Sequence, residues 1–77
     1  MDKLFVILAD LLDKNPSEFH LNSTKDDFPE WDSIATINIT VALEEVYDVS
    51  LTAEDVEAIN SVRSIVDILE KYGVGFN

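Results

Sequence analysis

The stretch Trp31-Asp32-Ser33-Ile34 places a hydroxyl beside a carboxylate at the head of a helical pattern and behind a long loop. Two kinds of chemistry suit such a pair. Either side chain can cap the helix by accepting hydrogen bonds from its first free amides, which accounts for most Asp-Ser pairs in proteins. A hydroxyl not used as a cap is left free for other chemistry, which the pair alone does not specify. Other chemistry is scarce in these 77 residues. Without cysteine there is no disulfide, no thiolate zinc site and no thiol nucleophile. His20, the single histidine, falls in the loop with no hydroxyl arranged to form a dyad, and is expected at the surface. Asp26, Asp27 and Glu30 crowd the same loop without the ligand spacing of a calcium site, so they are read as solvated charge and no metal is assigned. The chain is not expected to be an enzyme.

Charge narrows the partners. Sixteen acidic residues against five basic ones give a net charge of −11. From Asp26 to Val62 there is no Lys, Arg or His, while ten acidic residues fall in that span. Nucleic-acid binding is excluded, because neutralising phosphates takes clustered Lys and Arg. An acidic field steers basic partners toward the surface that carries it, or serves only to keep the protein soluble. No apolar run approaches the roughly 20 residues that span a bilayer. Asp2, Lys3 and Asp10 break up the N-terminal apolar stretch, against a signal peptide. The expectation is a single domain over 1–77, monomeric, cytoplasmic and not inserted in membranes.

The apolar spacing is helical throughout. Leu4, Phe5, Leu8, Leu11 and Leu12 predict a first helix from about Asp2 to Lys14, stopped by Asn15-Pro16. Residues 15 to 31 form a long loop, with Phe19, Leu21, Phe28 and Trp31 as its pins. A second helix runs from about Ser33 to Tyr47, capped by Asp32 or Ser33. Thr52 and Asp55 have the spacing of a capping box and open a short third helix near Ala53 to Ile59. Asn60 or Ser61 caps a fourth, where Val62, Ile65, Val66, Leu69 and Tyr72 make an apolar stripe that Gly73 ends. The fold class is all-α: a four-helix bundle with three longer helices, a short third helix and a long first connection.

The second helix carries two apolar faces. On a wheel of 100° per residue, Ile39, Ala42, Leu43, Val46 and Tyr47 make a core-facing stripe. Ile34, Ile37 and Val41 fall nearly opposite, with Ser33 at the head of that second face and Glu44, Glu45 and Asp48 at its end. Either the long loop covers Ile34 and Ile37 through Phe28 or Trp31, or this face docks a partner with a small pocket and nearby Lys or Arg.

The sequence resembles the acyl carrier proteins and related phosphopantetheine-dependent carriers over nearly its whole length. The sharpest part is Asp32-Ser33-Ile34, which is similar to the family's Asp-Ser-Leu signature with Ile for Leu. Val41-Ala42-Leu43-Glu44-Glu45-Val46-Tyr47 resembles the segment in which an acidic pair precedes an aromatic core residue. The resemblance implies a 4′-phosphopantetheine arm, taken from coenzyme A and attached to Ser33 by a separate phosphopantetheinyl transferase (the holo-carrier-protein synthase). Asp32 would position the serine and contact that transferase or its metal ion. Ile34, Ile37, Val41, Glu44, Glu45 and Asp48 would form the face read by acyl-transferring, condensing or ligating enzymes with basic docking patches. Acyl groups would ride as thioesters on the arm's thiol, in fatty-acid, polyketide or related specialised biosynthesis. A helix N-terminus suits the phosphodiester, since backbone amides and the helix dipole favour negative charge there. Two departures point to a specialised carrier: Ala35 and Asn38 stand where many fatty-acid carriers have acids, and Trp31 precedes the motif. The rival readings are an aminoacyl or peptidyl carrier, whose surface is usually less acidic, and an acidic interaction module that is never modified.

Overall fold

Leu4, Leu8 and Leu12 recur every four residues, so they line one side of a helix and bury together. In a computed structural model, which describes residues 1–76, this helix is α1 (Asp2–Leu12). It stops two residues short of the expected end at Lys14. Asp13 adopts a left-handed conformation, φ 57°, and the Lys14 amide donates back to the Ala9 carbonyl at 2.8 Å. Aspartate tolerates that conformation better than most residues, and Pro16 forbids continuation.

The connection to the next helix is long but not loose. It contains two single 3₁₀ turns, Pro16–Glu18 and Lys25–Asp27. Each is closed by a carboxylate accepting from a backbone amide three residues earlier: Asn15 to Glu18 at 2.8 Å, and Thr24 to Asp27 at 2.9 Å. Phe19 and Phe28 stack at 4.6 Å between ring centroids, and both are buried with Trp31. Leu21 is half-buried against the same core. The Lys25 amide donates to the Asn60 carbonyl and the Val62 amide to the Ser23 carbonyl, each at 2.9 Å, so the loop is stitched to the start of the last helix.

α2 spans Ser33–Tyr47, as its apolar period predicts. α3 (Ala53–Glu57) is shorter than the expected reach to Ile59. Its capping box forms, with the Asp55 amide donating to the Thr52 hydroxyl at 3.1 Å and the Thr52 amide to the Asp55 carboxylate at 3.0 Å. The chain then leaves the helix so that Ile59 can enter the core. α4 (Val62–Lys71) is capped by Ser61, which accepts from the Ser64 amide at 3.0 Å. Gly73, with φ 92°, lies just past its end, where a left-handed backbone is needed.

The core is built from Leu4, Leu8 and Leu12 of α1, Ile39 and Leu43 of α2, and Val62, Ile65 and Leu69 of α4. Ile68 is buried as well, a position outside the predicted stripe. Tyr72 departs from that stripe: its ring is partly exposed and its hydroxyl donates to Asp55. Val46 also departs from its expected core position and is 40% exposed. It sits in the last turn of α2, at the end of the bundle where α1 is only beginning and Lys3 lies over the Tyr47 ring. The inner arc is completed instead by Ala35 and by Thr40, whose hydroxyl donates to the Thr36 carbonyl at 2.9 Å.

Candidate functional site

The head of α2 is held from two sides. Trp31 is buried, and its amide donates to the Phe28 carbonyl at 2.9 Å. Asp32 follows in extended backbone, and its carboxylate accepts from the Ala35 amide at 2.9 Å. Its carbonyl accepts both the Thr36 amide at 2.9 Å and the Thr36 hydroxyl at 3.0 Å. Asp32 is therefore the cap, and of the two expected capping residues only one does that work. Ser33, the first helical residue, is exposed, and its hydroxyl has no hydrogen-bond partner among the described residues. Replacing Asp32 by Ala is expected to cost about 1 kcal/mol of stability, as loss of a cap does. Ser33→Ala should fall within about 0.5 kcal/mol of the parent. Urea midpoints for the two variants check the division of labour, and equal losses would contradict it.

Two shallow grooves flank Ser33. One, of about 390 Å³, is lined by Lys25, Phe28, Trp31, Asp32 and Thr36 together with the serine. The other, of about 300 Å³, runs between α2 and α3 over Ile37, Val56 and Ile59, and Lys25, Ser33 and Thr36 line it too. An exposed hydroxyl, uncommitted amides at the start of a helix and a lysine at the rim are a donor set that suits a phosphodiester. The residues present thus fit a phosphate-linked group at Ser33.

The opposite face of α2 is open. Ile34, Ile37 and Val41 are 70%, 58% and 50% exposed. The loop does not cover Ile34 or Ile37, because Phe28 and Trp31 are turned into the core. Asn38 and Glu45 are exposed on the same side. Ala35 is not: it is buried, so an acid is missing there because the position belongs to the core rather than to the open face. Glu44 is only partly free. It lies at the border between the two faces, half-buried, and its carboxylate accepts from the Leu51 amide at 2.8 Å, which ties α2 to the approach to α3. Asp48 is exposed and ends α2 in a left-handed conformation, φ 54°. The acids of the loop are partly engaged as well. Glu30 pairs with Lys14 at 2.9 Å, and the lysine's hydrogen bond lowers the Glu30 pKa.

Comparison with known proteins decides what this arrangement belongs to. The family model described as "Phosphopantetheine attachment site" matches residues 2–69. An acyl carrier protein of Clostridium perfringens is 32% identical over 71 residues, covering 92% of this chain and 93% of the relative. This chain belongs to the acyl carrier protein family. An acyl carrier protein of Syntrophobacter fumaroxidans is 42% identical over 40 residues, about half of each chain. A holo acyl carrier protein from Nitrosomonas europaea, solved by solution NMR, superposes with a TM-score of 0.78 at 25% identity and covers 92% of both chains. The all-helical architecture of the carrier matches that neighbour. The prosthetic group of the family is phosphopantetheine, and the chain is a carrier rather than a catalyst. Among the described residues no helix is long and apolar enough to cross a membrane.

Proposed function

We propose that Ser33 is the residue that bears the 4′-phosphopantetheine arm and that the open face of α2 presents the loaded arm to partner enzymes. The single observation that carries this is the division between neighbours: Asp32 satisfies the helix amide while Ser33 stays exposed and uncommitted. On loading from coenzyme A, the Ser33 oxygen bonds to the phosphorus that carries the pantetheine arm, the pyrophosphate P–O bond breaks and adenosine 3′,5′-bisphosphate leaves. The serine proton passes to the transferase or to water, so that the serine oxygen ends as the bridging atom of a phosphodiester. The arm supplies a terminal thiol, which is how a chain without cysteine carries acyl groups as thioesters. Asp32 holds the serine in register for the phosphopantetheinyl transferase.

Docking follows from the geometry of the face. Ile34, Ile37 and Val41 offer an apolar centre, while Glu45 and Asp48 supply charge at its far end. Asn38 leaves the first turns uncharged, and Glu44 contributes with only part of its carboxylate free. Partners with a small apolar pocket and basic residues set toward the C-terminal half of α2 fit best. This weighting supports a role in specialised acyl biosynthesis beside or outside the main fatty-acid pathway, performed by one monomeric cytoplasmic domain. The net charge of −11 disfavours an aminoacyl carrier.

Intact-mass measurement after incubation with coenzyme A and a broad-specificity transferase tests the attachment. The expected gain is one phosphopantetheinyl group in the parent and none in Ser33→Ala. No gain in the parent, or an equal gain in the variant, overturns the assignment.

A further inference from the structure

The basic residues of this chain are few, and most are engaged. Lys14 pairs with Glu30, Lys71 with Asp55, and Lys3 lies over the Tyr47 ring. Among the described residues Lys25 and Arg63 have no such partner. Arg63 belongs to α4 and lines neither groove beside Ser33. Lys25 lines both. It is the last cation before a stretch of 37 residues, 26 to 62, that holds ten acids and no base.

Its backbone is fixed. Lys25 opens a 3₁₀ turn closed by the Thr24 amide donating to Asp27 at 2.9 Å, and its own amide donates to the Asn60 carbonyl at 2.9 Å. One residue earlier, Thr24 bridges Ser61, and Ser23 is buried with its hydroxyl accepting from the His20 amide at 3.0 Å. A fixed backbone under an exposed, unpaired ammonium costs little to organise around an anion.

We infer that Lys25 is the positioning residue for the phosphodiester of the arm, holding its charge at the head of α2 through a charge-assisted contact. This rests on the attachment at Ser33. The need for such a cation is electrostatic. A phosphodiester adds a negative charge where Asp26 and Asp32 line one groove and Glu57 lines the other, and Lys25 is the only base lining either. With the phosphate held from the loop side, the arm leaves Ser33 from a defined root rather than swinging freely.

The test compares melting temperatures of apo and loaded protein for the parent, Lys25→Gln and Lys25→Arg, with loading verified by intact mass. In low salt, the change on loading should be less favourable in Lys25→Gln than in the parent by about 1–5 °C, the scale of one exposed charge contact in a small domain. Lys25→Arg should restore it, and about 1 M salt should erase the difference as the Debye length falls to about 3 Å. The Lys25 side-chain methylene resonances next to the ammonium should also shift on loading. An equal change on loading in parent and Lys25→Gln overturns the inference, as does a difference that survives high salt or that Arg does not restore. Failure of the parent to load at all instead sinks the attachment at Ser33, so the two failures are distinguishable.

Discussion

Leu43→Asp is expected to unfold the domain, whereas Val41→Asp, two residues away on the same helix, should leave it folded and impair docking. Leu43 is 1% exposed and belongs to the same buried core as Leu4, Leu8 and Ile39, while Val41 is 50% exposed on the open face. A carboxylate at position 43 loses a buried leucine and adds an unpaired charge to the core, a combination that costs more than about 4 kcal/mol. A single core in a chain below about 80 residues supplies only about 3–5 kcal/mol, so the substitution removes most or all of it. At position 41 the carboxylate stays in water and costs about 0.5 kcal/mol or less. Circular dichroism should show parent-like helix content and a cooperative melt for Val41→Asp and neither for Leu43→Asp. Kinetics of loading by the transferase should show Val41→Asp with a raised KM, because a charge now sits in the centre of the apolar patch. If both variants unfold, the open face is part of the core; if Val41→Asp folds and loads with parent kinetics, the face is not read by the transferase.

That contrast was legible in the sequence, because helical period alone separates Leu43 from Val41. Local signals are equally plain: the bounds of α2 and the capping box at Thr52 and Asp55 depend on neighbours within a few residues, and Phe19, Phe28 and Trp31 stand out as large apolar residues in an otherwise polar loop. What the helical period does not show is which groups a side chain meets once the chain turns back on itself. Ala35 reads as a surface position on the pattern of related carriers, yet the burial of its methyl is set by how the helix sits against the rest of the bundle. Val46 occupies a core angle on the wheel but is 40% exposed, while Tyr47 beside it packs against the core. Glu44 looks like a docking acid, and only the path of the chain to Leu51, seven residues on, shows its carboxylate occupied. Lys25 carried no motif at all. Its importance appears only when the loop is stitched to Asn60 and brings the residue to the rim of both grooves.

Asp55→Ala is the second large expected effect, and it concerns the short helix α3. Five residues cannot hold a helix by their own hydrogen bonds, so α3 depends on what ties it down. Asp55 is 4% exposed and accepts from the Lys71 ammonium, the Tyr72 hydroxyl and the Thr52 amide, which fastens α3 to the end of α4. Hydrogen bonds from Lys71, then Tyr72, then Thr52 hold its carboxyl below the usual carboxylate range. Because the folded pKa is depressed, this stabilisation is complete above the unfolded value near about 3.9 and is lost as pH falls below it toward the folded pKa. The same contact raises the Lys71 pKa, so that part is complete below the ordinary lysine value and fades only as pH climbs through the raised one. Between those limits Asp55→Ala should lower the melting temperature by about 10 °C, against about 2 °C or less for Asp67→Ala, an exposed acid of α4. The gap between parent and Asp55→Ala should be flat from pH 7 to about 5 and close progressively below pH 4. Hydrogen exchange at the Val56 and Ala58 amides should accelerate in the variant well before the amides of α1 do, because the fastening is local to α3. A gap that persists undiminished to pH 2, or exchange that rises uniformly across the bundle, would show that α3 is held by packing of Ile59 rather than by the carboxylate.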